Sequence, residues 1–190
     1  MDPHLIEYIR RYINITEVET VLFQSYLTKR KVKRKEFLLT EGQICKSRYF
    51  IQKGCVRMYY IDQKWNEQII HFGIDHWWIT DYQSLINEVP SKMYIQATED
   101  TEYLELPQFK FDKLCMELPQ TERFFRKIME KTFIAIQNRM EYMFSLSGED
   151  IFNQFISSNP DFAQRVPLYM IASYLGMTPE FVSKVRARKK

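Results

Sequence analysis

From Gln120 to Leu146 the chain runs without a Gly or Pro, and apolar side chains recur at helical spacing at Phe124, Phe125, Ile128, Met129, Phe133, Ile136, Met140, Met143 and Phe144. This predicts one helix of roughly 40 Å at 1.5 Å per residue. Its apolar positions wrap more than one face, so one side must be buried against its own domain and another against something else. A second copy of the chain is the simplest partner. That assigns Phe125, Ile128, Met129, Ile136, Met140 and Met143 to a dimer helix. Ser147-Gly148 then breaks the pattern as a hinge, and a shorter helix from Glu149 is expected to close at Asn159-Pro160.

Ahead of that helix the pattern has a shorter period. FLLTEG, SRYFIQKG, CVRMYYID, EQIIHFG, KMYIQATED and EYLEL are rich in β-branched and aromatic residues and are punctuated by Gly42, Gly54, Asp62, Gly73 and Glu99-Asp100. An antiparallel roll or barrel is expected from about Glu36 to Leu106. Phe50, Val56, Met58, Tyr60, Ile70, Phe72 and Ile95, or their alternating neighbours, would line it, and Trp77 to Ile86 reads as a short helix interrupting it. Further upstream, Thr16 and Glu19 form a capping-box pattern for a helix to Leu27 with an apolar stripe of Val18, Val21, Leu22 and Tyr26. The run KRKVKRK at 29–35 is read as a solvated charge run beside a turn, with a second nucleic-acid contact as the rival.

The last 26 residues, Arg165 to Lys190, have the spacing of a helix-turn-helix. Ile171, Leu175, Met177, Val182 and Val185 supply the packing, Ala172 fits the close approach of two helices, and Gly176 suits a turn that needs φ > 0. Thr178 is the expected N-cap, Pro179 fits the first helical position, and Glu180 favours the positive end of the dipole. Six basic residues face one acid here, a balance of +5 in a chain of net +3, which leaves −2 for residues 1–164. A mildly acidic body with a basic tail, Arg186, Arg188, Lys189 and Lys190 included, suits contact with a polyanion.

Composition closes off several alternatives. Five glycines in 190 residues do not assemble a glycine-rich phosphate loop. No apolar run reaches membrane-spanning length and the N-terminus lacks a signal-like core, so a cytosolic location is expected. Cys45, Cys55 and Cys115 are too scattered for a disulfide framework or an iron–sulfur cluster. His4, His71 and His76 lack zinc-type spacing; a haem or redox sensor using His71, His76 or a cysteine is the most remote reading. No nucleophile–base pair, metal site or carboxylate dyad stands out, so neither enzyme activity nor a cofactor is expected.

Taken in order, roll, long helix, hinge and terminal helix-turn-helix resemble the Crp/Fnr family of bacterial transcription regulators. EGQICKSRYFIQKGCVRMYY, with Gly42 and Gly54, and IASYLGMTPEFVSKVRARKK carry the resemblance. It implies an α+β architecture: an antiparallel β-roll sensor of the cyclic-nucleotide-binding type (residues 1–118), a dimerisation helix (119–146) and a small all-α DNA-binding head (147–190). It also implies base contacts from Pro179, Glu180 and Lys184, with Tyr169, Thr178 and Ser183 on phosphates. Partners would be duplex DNA and a second copy, with a small-molecule effector and RNA polymerase as further candidates and no membrane.

Two departures qualify the resemblance. Where cyclic-nucleotide-binding members carry a Gly-Glu pair and then an Arg-Ser pair, this chain has Thr80-Asp81, followed by Tyr82, and Ser91-Lys92. The forked cation is missing, and charge-assisted bonds contribute about 1.5–3 kcal/mol each. Weak or no cyclic-nucleotide binding is therefore expected, although Asp81 could still accept a ribose hydroxyl and Lys92 offers a point charge. In the head, Pro179 replaces a guanine-reading arginine, and the chain stops at Lys190, so the family's β-hairpin wing is expected to be absent. These departures motivate the alternative reading, a small-ligand-binding or protein-interaction module whose degenerate head no longer reads DNA.

Overall fold

A computed structural model describes residues 2–188. The described residues fall into two compact units, the first from 2–60 and 71–130, the second from 61–70 and 131–188.

The first unit is built on two four-stranded sheets, less a hairpin tip at 61–70 that belongs to the second unit. One has the order β1 (Thr28–Val32), β8 (Thr101–Pro107), β3 (Ser47–Lys53) and β6 (Trp78–Ile79); the other runs β2 (Phe37–Leu39), β7 (Tyr94–Ala97), β4 (Cys55–Ile61) and β5 (Glu67–Ile74). Between them lies a core of Leu39, Tyr49, Ile51, Val56, Ile79, Leu85, Ile95 and Ala97, against which Met58 packs. Because side chains alternate along a strand, Phe50 turns to the opposite face of β3 from Tyr49 and Ile51. It joins the helices there rather than lining the roll. Tyr60 is likewise exposed, while Tyr59 is buried and stacks on its cross-strand partner Tyr94 at 5.1 Å. Gly54 makes the β3–β4 turn at φ +125°, where a Cβ would come within 2.7 Å of the Thr101 Cα.

The charge run at 29–35 is solvated apart from Val32, and it divides between a strand and the turn that follows it. Lys29, Arg30 and Lys31 lie in β1, paired antiparallel with β8, and meet Glu102 and Glu105, while Lys33 meets Asp100 at 2.9 Å. Cross-strand charge complementarity therefore converts a hydrophilic run into an edge strand. The segment expected as one helix from Trp77 to Ile86 divides into β6 and α3 (Tyr82–Asn87), because the Asp81 side chain caps a new N-terminus by accepting from the Gln83 and Ser84 N–H groups.

Helices cover the outer face of the β1-containing sheet. These are α1 (Pro3–Arg10), α2 (Glu17–Ser25), α4 (Gln108–Glu117) and the first turns of α5 (Gln120–Ser145), packed around Leu5, Ile9, Phe23, Phe50, Trp78, Leu106, Leu114, Phe124, Phe125 and Ile128. The expected capping box at Thr16 and Glu19 is formed. The apolar stripe of α2 is only half as expected, since Val18 is 80% and Val21 55% exposed whereas Thr20 and Phe23 are buried. Phe23, meeting Phe124 edge-on at 6.0 Å, sets the rotation of this helix and leaves the two valines on the opposite side.

In the second unit, residues 131–145 of α5 are followed by α6 (Gly148–Ser158), α7 (Pro160–Arg165), α8 (Leu168–Tyr174) and α9 (Pro179–Ala187). Ser147 caps α6, so the break falls where Ser147-Gly148 predicted it. The β4–β5 hairpin tip also belongs here. Asp62 organises it by accepting from the Lys64 and Asn66 backbone N–H groups and the Gln68 side chain, and these bonds lower its pKa to about 2, the Asn66 backbone contact first.

Replacing Phe124 by Ala should cost about 3–5 kcal/mol, read as a lower midpoint in urea denaturation followed by circular dichroism. In a pH titration by NMR, the Lys64 and Asn66 amides should report a midpoint near 2 rather than 3.8. The folded-state pKa is the lower one, so the tip is intact above both values and opens as pH falls through it; Asp62→Asn should abolish that titration.

Candidate nucleic-acid interface and effector site

Helices α8 and α9 form the turn that the sequence implied. Ile171, Ala172 and Val182 are fully buried, with Leu175 and Val185 nearly so. Gly176 adopts φ +70°, and the Thr178 Oγ1 accepts the Phe181 N–H at 3.2 Å. At about 100° per residue, Glu180, Ser183 and Lys184 share one face of α9, opposite Val182 and Val185, and Arg186 lies on the flank beside Pro179. Pro179, Glu180, Ser183, Lys184, Arg186 and Arg188 are all exposed, as is Tyr169 on α8. Arg188 reaches back to Glu149 at 3.4 Å, so part of the tail's charge is met within the head. Lys189 and Lys190 lie outside the described residues.

Residues that sequence reasoning missed hold this helix pair. The Ser173 Oγ accepts the Ile69 N–H at 3.0 Å and donates to the Glu67 carbonyl at 2.8 Å, so α8 is tied to the hairpin tip. Arg139 of α5 donates to the Ile70 carbonyl at 3.0 Å and to the Tyr174 carbonyl, with its guanidinium 4.1 Å over the Tyr174 ring. The available signal was weak: Arg139 follows Gln137 and Asn138 between the apolar positions Ile136 and Met140.

On α5 the apolar residues divide by position. Phe125 and Ile128, expected on the dimer face, are 5% and 8% exposed and belong to the core of the first unit. Met129, Ile136, Met140 and Met143 remain 40–53% exposed, with Phe133, Ile134 and Phe144 more so.

The residues expected at a degenerate effector pocket are brought together in part. Thr80, Asp81 and Ser91 are buried. Asp81 caps α3 through Oδ1, and its Oδ2 accepts the Ser91 hydroxyl at 2.7 Å. The Thr80 hydroxyl donates to the Ser47 carbonyl at 2.9 Å. Both Asp81 oxygens are thus engaged within the protein, which leaves little acceptor capacity for a ribose. Lys92 is exposed, apart from this network. Tyr82 lies beside Arg48, a buried cation that the sequence pattern did not single out. Arg48 donates to the Gln108 side chain at 2.6 Å and packs 3.9 Å from the Phe111 ring centre, and its burial lowers its pKa; burial likewise raises that of Tyr82. A second buried arginine, Arg57, donates twice to Gln96. Arg48 keeps one buried nitrogen, Nε, without a hydrogen-bond partner, while the Arg57 guanidinium lies 4.3 Å over the Tyr59 ring. The histidines do not converge as a pair five apart: His71 stacks near Trp77, and His76 meets His4 at 4.7 Å. All three cysteines are free and buried, and no group of three or more metal-ligating side chains occurs among the described residues.

Residues 29–117 match the cyclic nucleotide-binding domain family. The transcriptional activator protein Anr of Pseudomonas protegens is 25% identical over 171 residues, covering 84% of this chain and 69% of that protein. Among solved structures, FixK2 from Bradyrhizobium japonicum aligns over 85% of this chain and 83% of its own with a TM-score of 0.71 at 17% identity. The c-di-GMP responsive regulator CLP of Xanthomonas campestris aligns over 91% of each chain with a TM-score of 0.74 at 13% identity. At those identities the structural matches establish the fold, an α+β architecture with an antiparallel roll, and no helix among the described residues is long and apolar enough to cross a membrane. The chain is thus similar to Crp/Fnr transcription regulators, in sequence through activators such as Anr and in architecture through FixK2.

Proposed function

We propose that the chain is a dimeric, DNA-binding transcription regulator whose roll has lost the standard cyclic-nucleotide grip, divided into roll, dimer helix and head near residues 118 and 146. The exposed face of α9 carries this reading. Glu180 and Lys184 lie in its first turns, where a recognition helix contacts base edges, and Glu180 suits cytosine N4 while Lys184 suits guanine O6 or N7. Tyr169, Thr178, Ser183, Arg186 and Arg188 would meet phosphates. Two-fold pairing along the exposed part of α5 is supported by its run of apolar side chains, since a patch of that kind on a soluble helix calls for a partner. A symmetric pair of heads would then read half-sites about 34 Å apart. Loss of the nucleotide grip is supported by the internal use of both Asp81 oxygens and by the exposure of Lys92.

Fluorescence anisotropy with duplex DNA tests the reading. We expect micromolar or tighter binding that weakens steeply with salt, unchanged by cyclic AMP. Lys184→Ala with Arg186→Ala should lower the affinity and reduce the log–log salt slope by about 1 for each phosphate no longer neutralised. An identical, salt-insensitive signal in both proteins would instead support the ligand-binding or interaction module. In sedimentation velocity, Ile136→Asp with Met140→Asp should convert a dimer into a folded monomer and weaken DNA binding in parallel; a wild-type monomer would overturn the dimer.

A further inference from the structure

The turn between α1 and α2 borders a small open cleft of about 180 Å³ on the first unit, lined by Arg10, Arg11, Tyr12, Ile13, Asn14 and Arg123. Tyr12 meets Phe124 edge-on at 5.8 Å, which brings the end of α1 beside the first turns of α5 and sets Arg123 at the rim. Three guanidinium groups thus share a space that no carboxylate lines, in a stretch of chain whose net charge is −2.

Ordinary structural duties account for only part of this arrangement. Arg10 and Arg11 lie at the C-terminal end of α1, where a cation complements the helix dipole, and each reaches an exposed glutamate through one terminal nitrogen, Glu17 at 2.5 Å and Glu7 at 2.8 Å. Each guanidinium has five N–H donors, so these single contacts leave several unused. Arg123 has no such duty. It is exposed, has no polar partner among the described residues, and is the fourth residue of α5, near the positive end of that helix, where a cation is unfavourable. An anion in the cleft would offset that repulsion and the mutual repulsion of the three arginines. The volume is below the roughly 300–1,000 Å³ of sites for drug-sized ligands, which suits a phosphate or diphosphate group rather than a whole nucleotide. Arginine's planar fork matches phosphate oxygens two at a time.

We propose that this cleft binds a small phosphate-bearing anion, with Arg123 gripping it from α5 and Arg10 and Arg11 from α1. The proposal does not depend on the head's function. Isothermal titration calorimetry of the full chain with pyrophosphate, at constant ionic strength set by sodium chloride, tests it. One saturable site per chain is expected. Affinity should fall at least tenfold in Arg123→Gln and in the Arg10→Gln, Arg11→Gln pair, and by less in Arg123→Lys, which keeps the charge without the fork. Arg126→Gln, on the same helix but paired with Glu130, should keep wild-type affinity. Melting curves establish that each variant is folded. Equal affinity in Arg123→Gln, or an equal loss in Arg126→Gln, would reduce the effect to general surface charge and overturn the site. Competition distinguishes the source of the phosphate: pyrophosphate that leaves DNA binding intact supports a free ligand, and displacement of duplex DNA by pyrophosphate through Arg123 would overturn it in favour of a nucleic-acid backbone contact.

Discussion

The first unit depends on a knot of rings around Phe124. Tyr8, Tyr12, Phe23 and Phe125 all approach it between 5.1 and 6.0 Å, each tilted steeply toward edge-on, so α1, α2 and the start of α5 meet through one side chain. Such pairs contribute about 0.5–1.5 kcal/mol each beyond the area they bury. The dependence follows from helix length. With eight and nine residues, α1 and α2 are too short to persist in water unaided, so their order derives from the ring cluster and from the sheet behind it. That same cluster fixes the first turns of α5.

Polar economy shapes the roll as strongly as apolar packing does. A buried carboxylate is tolerated only when its oxygens are satisfied, and Asp81 meets that condition by capping α3 and receiving the Ser91 hydroxyl. Asp81 and Ser91, which the family resemblance would place at an effector, bond to each other and to the first turn of α3. Arg48 follows the same logic: desolvation opposes its charge, and a ring of aromatic faces with one amide oxygen offsets the cost.

The long helix, the capping box at Thr16, the break at Ser147 and the Gly176 turn were legible because each rests on a local requirement visible within a few residues: periodicity, a cap or a positive φ. Which face of β3 looks inward was not legible, since Tyr49, Phe50 and Ile51 are all apolar enough for either side and only the helices packed on the outer face decide between them. The strand at Thr28–Val32 was hidden for the opposite reason. Its pattern is hydrophilic up to Val32, and its pairing depends on Glu102 and Glu105 some seventy residues away. At the candidate sites, exposure of the α9 face followed from the heptad-like placement of Val182 and Val185. The tether of α8 through Ser173 and Arg139 required knowing that the hairpin tip belongs to the same compact unit, which no short-range signal carries.

The uneven exposure of α5 has a consequence for how such a chain behaves at different abundances. Its first turns are satisfied within one molecule, while Phe133, Ile136, Met140 and Phe144 stay wet until another surface covers them. If a second copy covers them, as proposed above, association would add to stability by mass action, and the order of the latter half of this helix would depend on how many copies the cell makes. Dosage would then act as an input alongside any ligand.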